Sequence, residues 1–386
     1  MITGLSVSFL MLAVLLWLSS YGYLLVLGLL ARSHRRQRIV RSTHSRVAVI
    51  VPTLNEAAYI RGKLDDLGRT EYPRDKLVII VADGGSHDGT CRVVEDILRR
   101  KESSGDLVRL QRIPAARGKA DQIARVLPTL DHDIVVVTDA DARLEPSCIR
   151  ELVALLAEDQ QTGVVGALVY PATGLLEERL HWRLVNYLWW LEGEVLSSAL
   201  VSGVCFAARR EVLHRMLPGA ATEDIQVALT AGASGHGVRI CPTALATEIR
   251  VPQTTRELLR FRRRRGNAYL YELVRSLRHV DAPAGWRLAR HVRLWHFFAT
   301  PALAALFVTS AIALLWTPHW PIPLVTVAVF LVPAFRFLAL SPPGDTSEYR
   351  FTQVGWAVAR LAVLTWISLA ITACVGWLHL PAGDSA

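Results

Sequence analysis

Val47-Ala48-Val49-Ile50-Val51-Pro52-Thr53-Leu54-Asn55-Glu56 is the stretch from which the rest of the chain can be read. Its first six residues are apolar without alternation, which predicts a strand buried on both faces, as in a parallel sheet. Two comparable runs follow, Leu77–Asp83 and residues 134–139. Helical patterns lie between and beside them, at residues 56–67, 90–101 and 120–127. The order β-α-β-α-β predicts a doubly wound, Rossmann-like α/β sheet. Ligands bind such sheets at the carboxyl ends of the strands, so the polar residues that end each run are the first candidates for chemistry.

After the second run comes Asp83-Gly84-Gly85-Ser86-His87-Asp88-Gly89-Thr90. The glycines allow a tight turn close to a ligand. Asp83 could then accept from a ribose hydroxyl or a base N–H, whereas Asp88 reads better as a helix N-cap. After the third run comes Asp139-Ala140-Asp141. Two carboxylates two residues apart at a strand end repel one another and call for a hard cation, Mg²⁺ or Mn²⁺, shared with phosphate oxygens. Lys119, at the start of the helical pattern 120–127, suits a phosphate as well as it suits solvent. Thr222-Glu223-Asp224 precedes an apolar helical stretch. From spacing alone Thr222 is a helix cap and the acids complement the helix dipole; Asp224 could also be a general base.

Outside this middle region the charge disappears. Residues 1–31 and 294–335 carry no Asp, Glu, Lys or Arg, and Arg360 is the one charge in 351–380. Runs of this length predict membrane helices, since backbone polar groups in lipid must be satisfied within the helix. Four spans are expected, near residues 5–30, 297–316, 323–340 and 353–378, the long run being broken at Thr317-Pro318-His319-Trp320-Pro321-Ile322-Pro323. The expected organisation is a transmembrane helix (1–31), a catalytic domain (32–252), basic interfacial helices (253–296) and three further spans (297–380). Arg32, Arg35, Arg36, Arg38, Arg41 and Arg46 follow the first run. By the positive-inside rule they place the N-terminus outside and the middle domain in the cytosol of a plasma or inner membrane. Stretches 182–196 and 286–295, rich in Trp and Tyr or Arg, predict helices in the headgroup plane. Arg360 is expected to snorkel.

The 386 residues carry a formal net charge of +9. Basic residues concentrated at membrane boundaries account for it, and no nucleic-acid partner is expected. Cys91, Cys148, Cys205, Cys241 and Cys374 are scattered singly, without zinc-ligand spacing. Arg260, Arg262, Arg263, Arg264 and Arg265 lie within one stretch, 256–265. Some of them are expected to meet lipid headgroups, and one or two could clamp a diphosphate.

These motifs in this order, from about Val47 to Asn267, resemble the membrane-integrated glycosyltransferases of family 2, which have the GT-A fold and include hyaluronan, chitin-oligosaccharide, poly-N-acetylglucosamine and cellulose synthases. The resemblance rests on Val51-Pro52-Thr53-Leu54-Asn55-Glu56, Asp83-Gly84-Gly85-Ser86, Gly118-Lys119, Asp139-Ala140-Asp141, Ser202-Gly203 with Arg209-Arg210, and Thr222-Glu223-Asp224. It implies that Thr53, Glu56, Asp83, Lys119, Asp139, Arg260 and Arg263 bind the nucleotide-sugar, that Asp141 holds the metal, and that Asp224 is the base of an inverting displacement. It also implies a UDP-sugar donor and, as acceptor, a membrane lipid or a growing glycan. Those synthases carry Gln-x-x-Arg-Trp where this chain reads Arg260-Phe261-Arg262-Arg263-Arg264. With Arg264 in the tryptophan's place, a single-transfer glycolipid synthase competes with a polymerising one. Four spans are few for a secretion channel, so a homo-oligomer or partner subunit is a further expectation. A catalytically silent nucleotide-sugar-binding subunit is the alternative from another class.

Overall fold

The expected strands follow from burial. A computed structural model describes residues 2–33, 45–100, 107–216, 220–327, 329 and 351–375. In it β1 (Val47–Thr53) is buried along its whole length. Successive side chains of a strand point to opposite faces. Val47, Val49 and Val51 therefore pack on α3 (Ala57–Gly68) and α4 (Thr90–Arg100), while Ala48 and Ile50 pack on α5 (Lys119–Val126). Strands β2 (Leu77–Asp83) and β4 (Ile134–Thr138) flank β1 in parallel register.

The remaining strands are β3 (Val108–Arg112), β5 (Ala142–Leu144), β6 (Thr162–Pro171), β7 (Cys205–Arg209) and β8 (Gly237–Glu248). The sheet order is β3-β2-β1-β4-β7-β6-β8-β5. The expectation of a parallel sheet holds for β1 to β4. It is corrected beyond β4, where β7 runs antiparallel to both β4 and β6, and β5 antiparallel to β8. An apolar run reports burial, not strand direction. The short β3 was missed because Val-Arg-Leu-Gln-Arg is a charged edge strand whose apolar/polar alternation lasts only four residues, unlike the continuous apolar runs of β1, β2 and β4.

Helices α6 (Cys148–Glu158), α7 (Leu176–Val195), α8 (Arg210–His214) and α9 (Glu223–Ala233) connect the later strands. Side-chain capping by Asp88 is present, its Oδ1 accepting from Thr90 N at 3.0 Å, although the N-cap position itself falls to Gly89, whose carbonyl accepts from Val93 N. Such capping is absent at Thr222. That hydroxyl makes no capping bond to α9 and is buried with no hydrogen-bond partner among the described residues. The positions of Glu223 and Asp224, described below, decide this helix start instead.

Two apolar helical stretches, Gly4–Arg32 and Ala284–Leu315, are long and apolar enough to cross a bilayer. The first comprises α1 (Ile2–Trp17), a π-turn at Leu18–Gly22 and α2 (Tyr23–Ser33). The second is one helix, α11 (Ala284–Leu315), which joins the separately expected interfacial stretch 286–295 and span 297–316. Pro301 lies within it, yet the helix continues through 32 residues. The two stretches pack together: Phe9 stacks on Phe307 at 4.9 Å, and Ser19 Oγ meets Thr300 Oγ1 at 2.6 Å and accepts from Trp295 Nε1 at 2.8 Å. Of the span expected at 323–340, most falls outside the described residues, as do Arg35, Arg36, Arg38 and Arg41. The described part of the span at 353–378 belongs to the helix Phe351–Val375, in which Arg360 is the one charged residue. Arg360 does not snorkel freely. It pairs with Glu177 at the start of α7 (3.0 Å) and donates to Thr255 Oγ1 (3.1 Å) at the start of α10 (Thr255–Arg275). The stretch expected at 182–196 lies within α7, where Trp182 enters the main core while Leu191 packs on Leu24 and Leu27 of α2.

Candidate active site

Strands β1, β2 and β4 end side by side, and residues at the ends of β1 and β4 line one cleft. Asp83 closes β2 and is 2% exposed. Its Oδ1 accepts from Gly85 N (3.0 Å) and Ser86 N (2.9 Å), and its Oδ2 from Thr53 Oγ1 (3.1 Å) and Ser86 Oγ. Burial pushes its carboxyl up, but the Ser86 hydroxyl and the Ser86 and Gly85 amides outweigh it, and the net shift is downward. Asn55, at φ 59°, ties the β1 loop to this turn: its N–H donates to Ser86 Oγ (2.8 Å) and its Oδ1 accepts from His87 N (3.0 Å). Asparagine is one of the few side chains that tolerate this left-handed backbone.

The cleft has a volume of about 190 Å³ and is lined by Thr53, Glu56, Lys119, Gln122, Asp139 and Asp141 among others. The spacing of Lys119 suited a phosphate and solvent equally. Its Nζ instead donates to Asp139 Oδ1 (2.6 Å) and Gly203 O (3.0 Å) and pairs with Glu223. One ammonium thus joins the end of β4, the loop before β7 and the first turn of α9. Burial lowers its pKa, but Asp139 and Glu223 outweigh that and raise it overall. Glu223, buried beside Lys119 and Asp224, is pushed up to about 7.

Asp224 faces the same loop. Its Oδ2 accepts from Gly203 N (2.9 Å) and its Oδ1 from Ile225 N (2.8 Å). Gly203 permits this approach: a Cβ there would stand 2.9 Å from Glu223 Oε1 and 3.0 Å from Asp224 Oδ2. The two N–H groups fix the orientation of the carboxylate. A base must be so oriented to meet an incoming hydroxyl.

Asp141 is held by Arg250, just beyond β8, with Nε 3.3 Å from its Oδ2. The same guanidinium reaches Glu56 Oε2 at 2.5 Å and lies 4.8 Å from the Tyr59 ring centroid. Burial and then Asp139 raise the Asp141 carboxyl, and Arg250 opposes them. This repulsion, and the all-oxygen donor set, suit a hard divalent cation. Among the described residues no three His, Cys, Asp or Glu side chains form a metal cage. A divalent cation held here by Asp141, or by Asp139 and Asp141, would take its other positions from phosphate oxygens and water.

The structure thus brings together Thr53, Glu56, Asp83, Lys119, Asp139, Asp141 and Asp224. It does not bring in Arg260 and Arg263, which are exposed. Helical spacing explains the correction. Leu258 is fully buried, and four and seven residues on, Arg262 and Arg265 share its face. Arg262 pairs with Glu178 (3.2 Å), and Arg265 with Glu248 (3.0 Å) while lying 4.2 Å from the Phe261 ring centroid. Sequence reasoning missed Gln122, Arg250 and the pairing of Glu223 with Lys119. Only Glu223 carried a signal, as the neighbour of Asp224.

Glu248 is also pushed up to about 7 by burial, against the pull of Arg265. A carboxyl raised from 4.5 binds its proton more tightly folded than unfolded, so its contribution is full below about 4.5 and is lost as pH rises through about 7. Glu248→Gln should therefore gain stability relative to wild type between pH 5 and 8. The gain should be on the order of 1–2 kcal/mol. Thermal melts in nanodiscs at the two pH values test it; a difference that does not change with pH refutes it.

A family model described as glycosyltransferase like family 2 matches residues 44–268. The probable glycosyltransferase YdaM of Bacillus subtilis is 28% identical over 237 residues, covering 58% of this chain and 56% of its own length. Beta-monoglucosyldiacylglycerol synthase of Nostoc is 26% identical over 157 residues, covering 38% of this chain and 33% of its own. The chain thus spans about half or less of these curated relatives. Among solved structures, the mannosyltransferase PcManGT of Pyrobaculum calidifontis, in complex with GDP-Man and Mn²⁺, superposes with a TM-score of 0.70, covering 94% of this chain and 97% of its own at 24% identity. That likeness supports the GT-A-like fold.

Proposed function

The chain belongs to glycosyltransferase family 2, and from that premise we propose that it is an inverting enzyme moving a sugar from a nucleotide-sugar, read as a UDP-sugar, to a membrane-associated acceptor. The observation that carries the reading is the cleft lined by Glu56, Lys119, Asp139 and Asp141, with Asp83 bonded to Thr53 of its lining and Asp224 bonded to Gly203, which also accepts from Lys119. Asp83, fixed by Thr53 and Ser86, receives the base or ribose. Asp139, held by Lys119, contacts the donor sugar and diphosphate. Asp141 would hold Mg²⁺ or Mn²⁺, and that ion when bound would neutralise charge on the departing diphosphate. Asp224 takes the proton of an acceptor hydroxyl as its oxygen bonds to the anomeric carbon. The bond from that carbon to the diphosphate breaks on the opposite side, which inverts the configuration.

The apolar stretches Gly4–Arg32 and Ala284–Leu315, with the uncharged sequence beyond, support four spans and a cytosolic catalytic domain. They also favour an acceptor in or at the bilayer, made either in polysaccharide synthesis or by a single transfer to a lipid. The similarity to a glycolipid synthase and the arginine in place of the acceptor-supporting tryptophan favour the single transfer. UDP-glucose, UDP-N-acetylglucosamine, UDP-galactose and GDP-mannose should be offered in turn to the protein in lipid nanodiscs. One donor should release nucleoside diphosphate with Mn²⁺ or Mg²⁺, and Asp141→Asn should lower that release by roughly 100-fold or more at sub-millimolar metal. A discrete glycolipid product supports single transfer and a ladder supports polymerisation. No release from any donor, with lipid acceptors present, favours a silent nucleotide-sugar-binding subunit.

A further inference from the structure

Lys63 occupies a position on α3 where the apolar pattern calls for hydrocarbon, among Ile60, Leu64 and Leu67. It is fully buried, and its Nζ donates to Thr138 Oγ1 at 3.0 Å. Asp66, nearly one turn along, is already paired with Arg69 (2.7 Å) and Arg143 (3.4 Å). The other polar groups it faces are the thiols of Cys205 and Cys148 and, farther off, Asp139. Burial pushes the ammonium down to about 8, so it remains mostly charged at neutral pH. A buried charge with so little local compensation is costly and calls for a reason.

The reason lies directly above it. Thr138 is the last residue of β4, and Asp139 follows. Thr138 Oγ1 donates to Val204 O at 2.9 Å, and Asp139 N donates to the same carbonyl at 3.1 Å. The ammonium therefore sits under the turn that carries Asp139 and Asp141, while Lys119 holds Asp139 from the cleft side. We infer that Lys63 is a positioning residue whose charge sets the potential of the Asp139–Asp141 turn from beneath, drawing the donor's diphosphate and restraining the affinity for the divalent cation. The inference rests on the nucleotide-sugar reading of the cleft.

The two effects have opposite signs, and a purely structural lysine would not produce that pattern. In Lys63→Gln, which loses the charge but keeps a donor for Thr138, UDP or GDP binding in EDTA should weaken about threefold to tenfold. Mn²⁺ binding without nucleotide, followed by the loss of the free-ion EPR signal, should tighten by a similar factor. Lys63→Arg keeps the charge and should hold both affinities near wild type, and Thr138→Val, which removes the hydroxyl's bonds to Lys63 and Val204 but leaves the ammonium in place, should preserve the Mn²⁺ affinity. Thermal melts confirm that each variant is folded. If Lys63→Gln does not fold, Lys63→Met is measured in its place. Affinities that stay unchanged, or that weaken together, overturn the inference. A wild-type protein that binds neither nucleotide nor Mn²⁺ overturns the nucleotide-sugar reading itself.

Discussion

Replacing Asp224 by asparagine should lower kcat by roughly 100- to 10,000-fold while leaving donor affinity within about threefold. The geometry isolates the carboxylate for this experiment. Its two hydrogen bonds come from the backbone N–H groups of Gly203 and Ile225, so both are acceptor contacts. An asparagine can keep one through its carbonyl oxygen, and the helix start survives. What it loses is the capacity to take a proton. Glu223→Gln is the matched control. Glu223 pairs with Lys119 and through it with Asp139, so its loss should raise the donor KM more than it lowers kcat. Nucleoside diphosphate release and donor binding, measured on the same preparations, separate the two. If Asp224→Asn transfers sugar at the wild-type rate, Asp224 is not the base; if Glu223→Gln carries the larger kcat loss, the roles of the neighbours are exchanged.

These two acids also show where sequence stops being informative. The strands that present Asp83, Asp139 and Asp141 were legible because burial on both faces leaves long unbroken apolar runs, and because ligand sites gather where such runs end. Asp224 was legible as a candidate, but spacing favoured a Thr222 cap whose side-chain bond does not form, and only the resemblance singled Asp224 out as the base. Glu223 was hidden because its partner, Lys119, is 104 positions away and meets it only when α5 and α9 start at the same cleft. Arg250 was hidden for the same reason, being brought to Asp141 and Glu56 by the pairing of β5 with β8. The arginine stretch carried no register of its own. Only the packing of α10, set by Leu258, selects Arg262 and Arg265 for its inner face.

The second large effect should come from a residue without chemistry. Gly232 lies on α9, the helix whose first turn carries Glu223 and Asp224. A Cβ there would stand 1.9 Å from the Trp286 ring. Trp286 is 1% exposed and belongs to α11, the long apolar helix, near the end that meets the catalytic domain. Its indole fills a notch that only glycine leaves, alongside Ala199, Leu200, Ile225 and Leu229. Gly232→Ala must expel the ring or displace α9, and either should cost about 1–3 kcal/mol or more by overpacking. A shift of α9 by about 1 Å would move Asp224 relative to Gly203, and kcat should fall by about tenfold to a hundredfold with a smaller change in donor affinity. Trp286→Ala should destabilise by about 3–5 kcal/mol through the cavity it leaves. The double variant decides between local and transmitted damage. With the ring gone, the added methyl has room, so Gly232→Ala in the Trp286→Ala background should cost little further stability. Additive losses in thermal melts would show that the notch does not couple the two helices. Strong non-additivity, with kcat tracking it, would mean that the position of Asp224 depends on how α11 is seated.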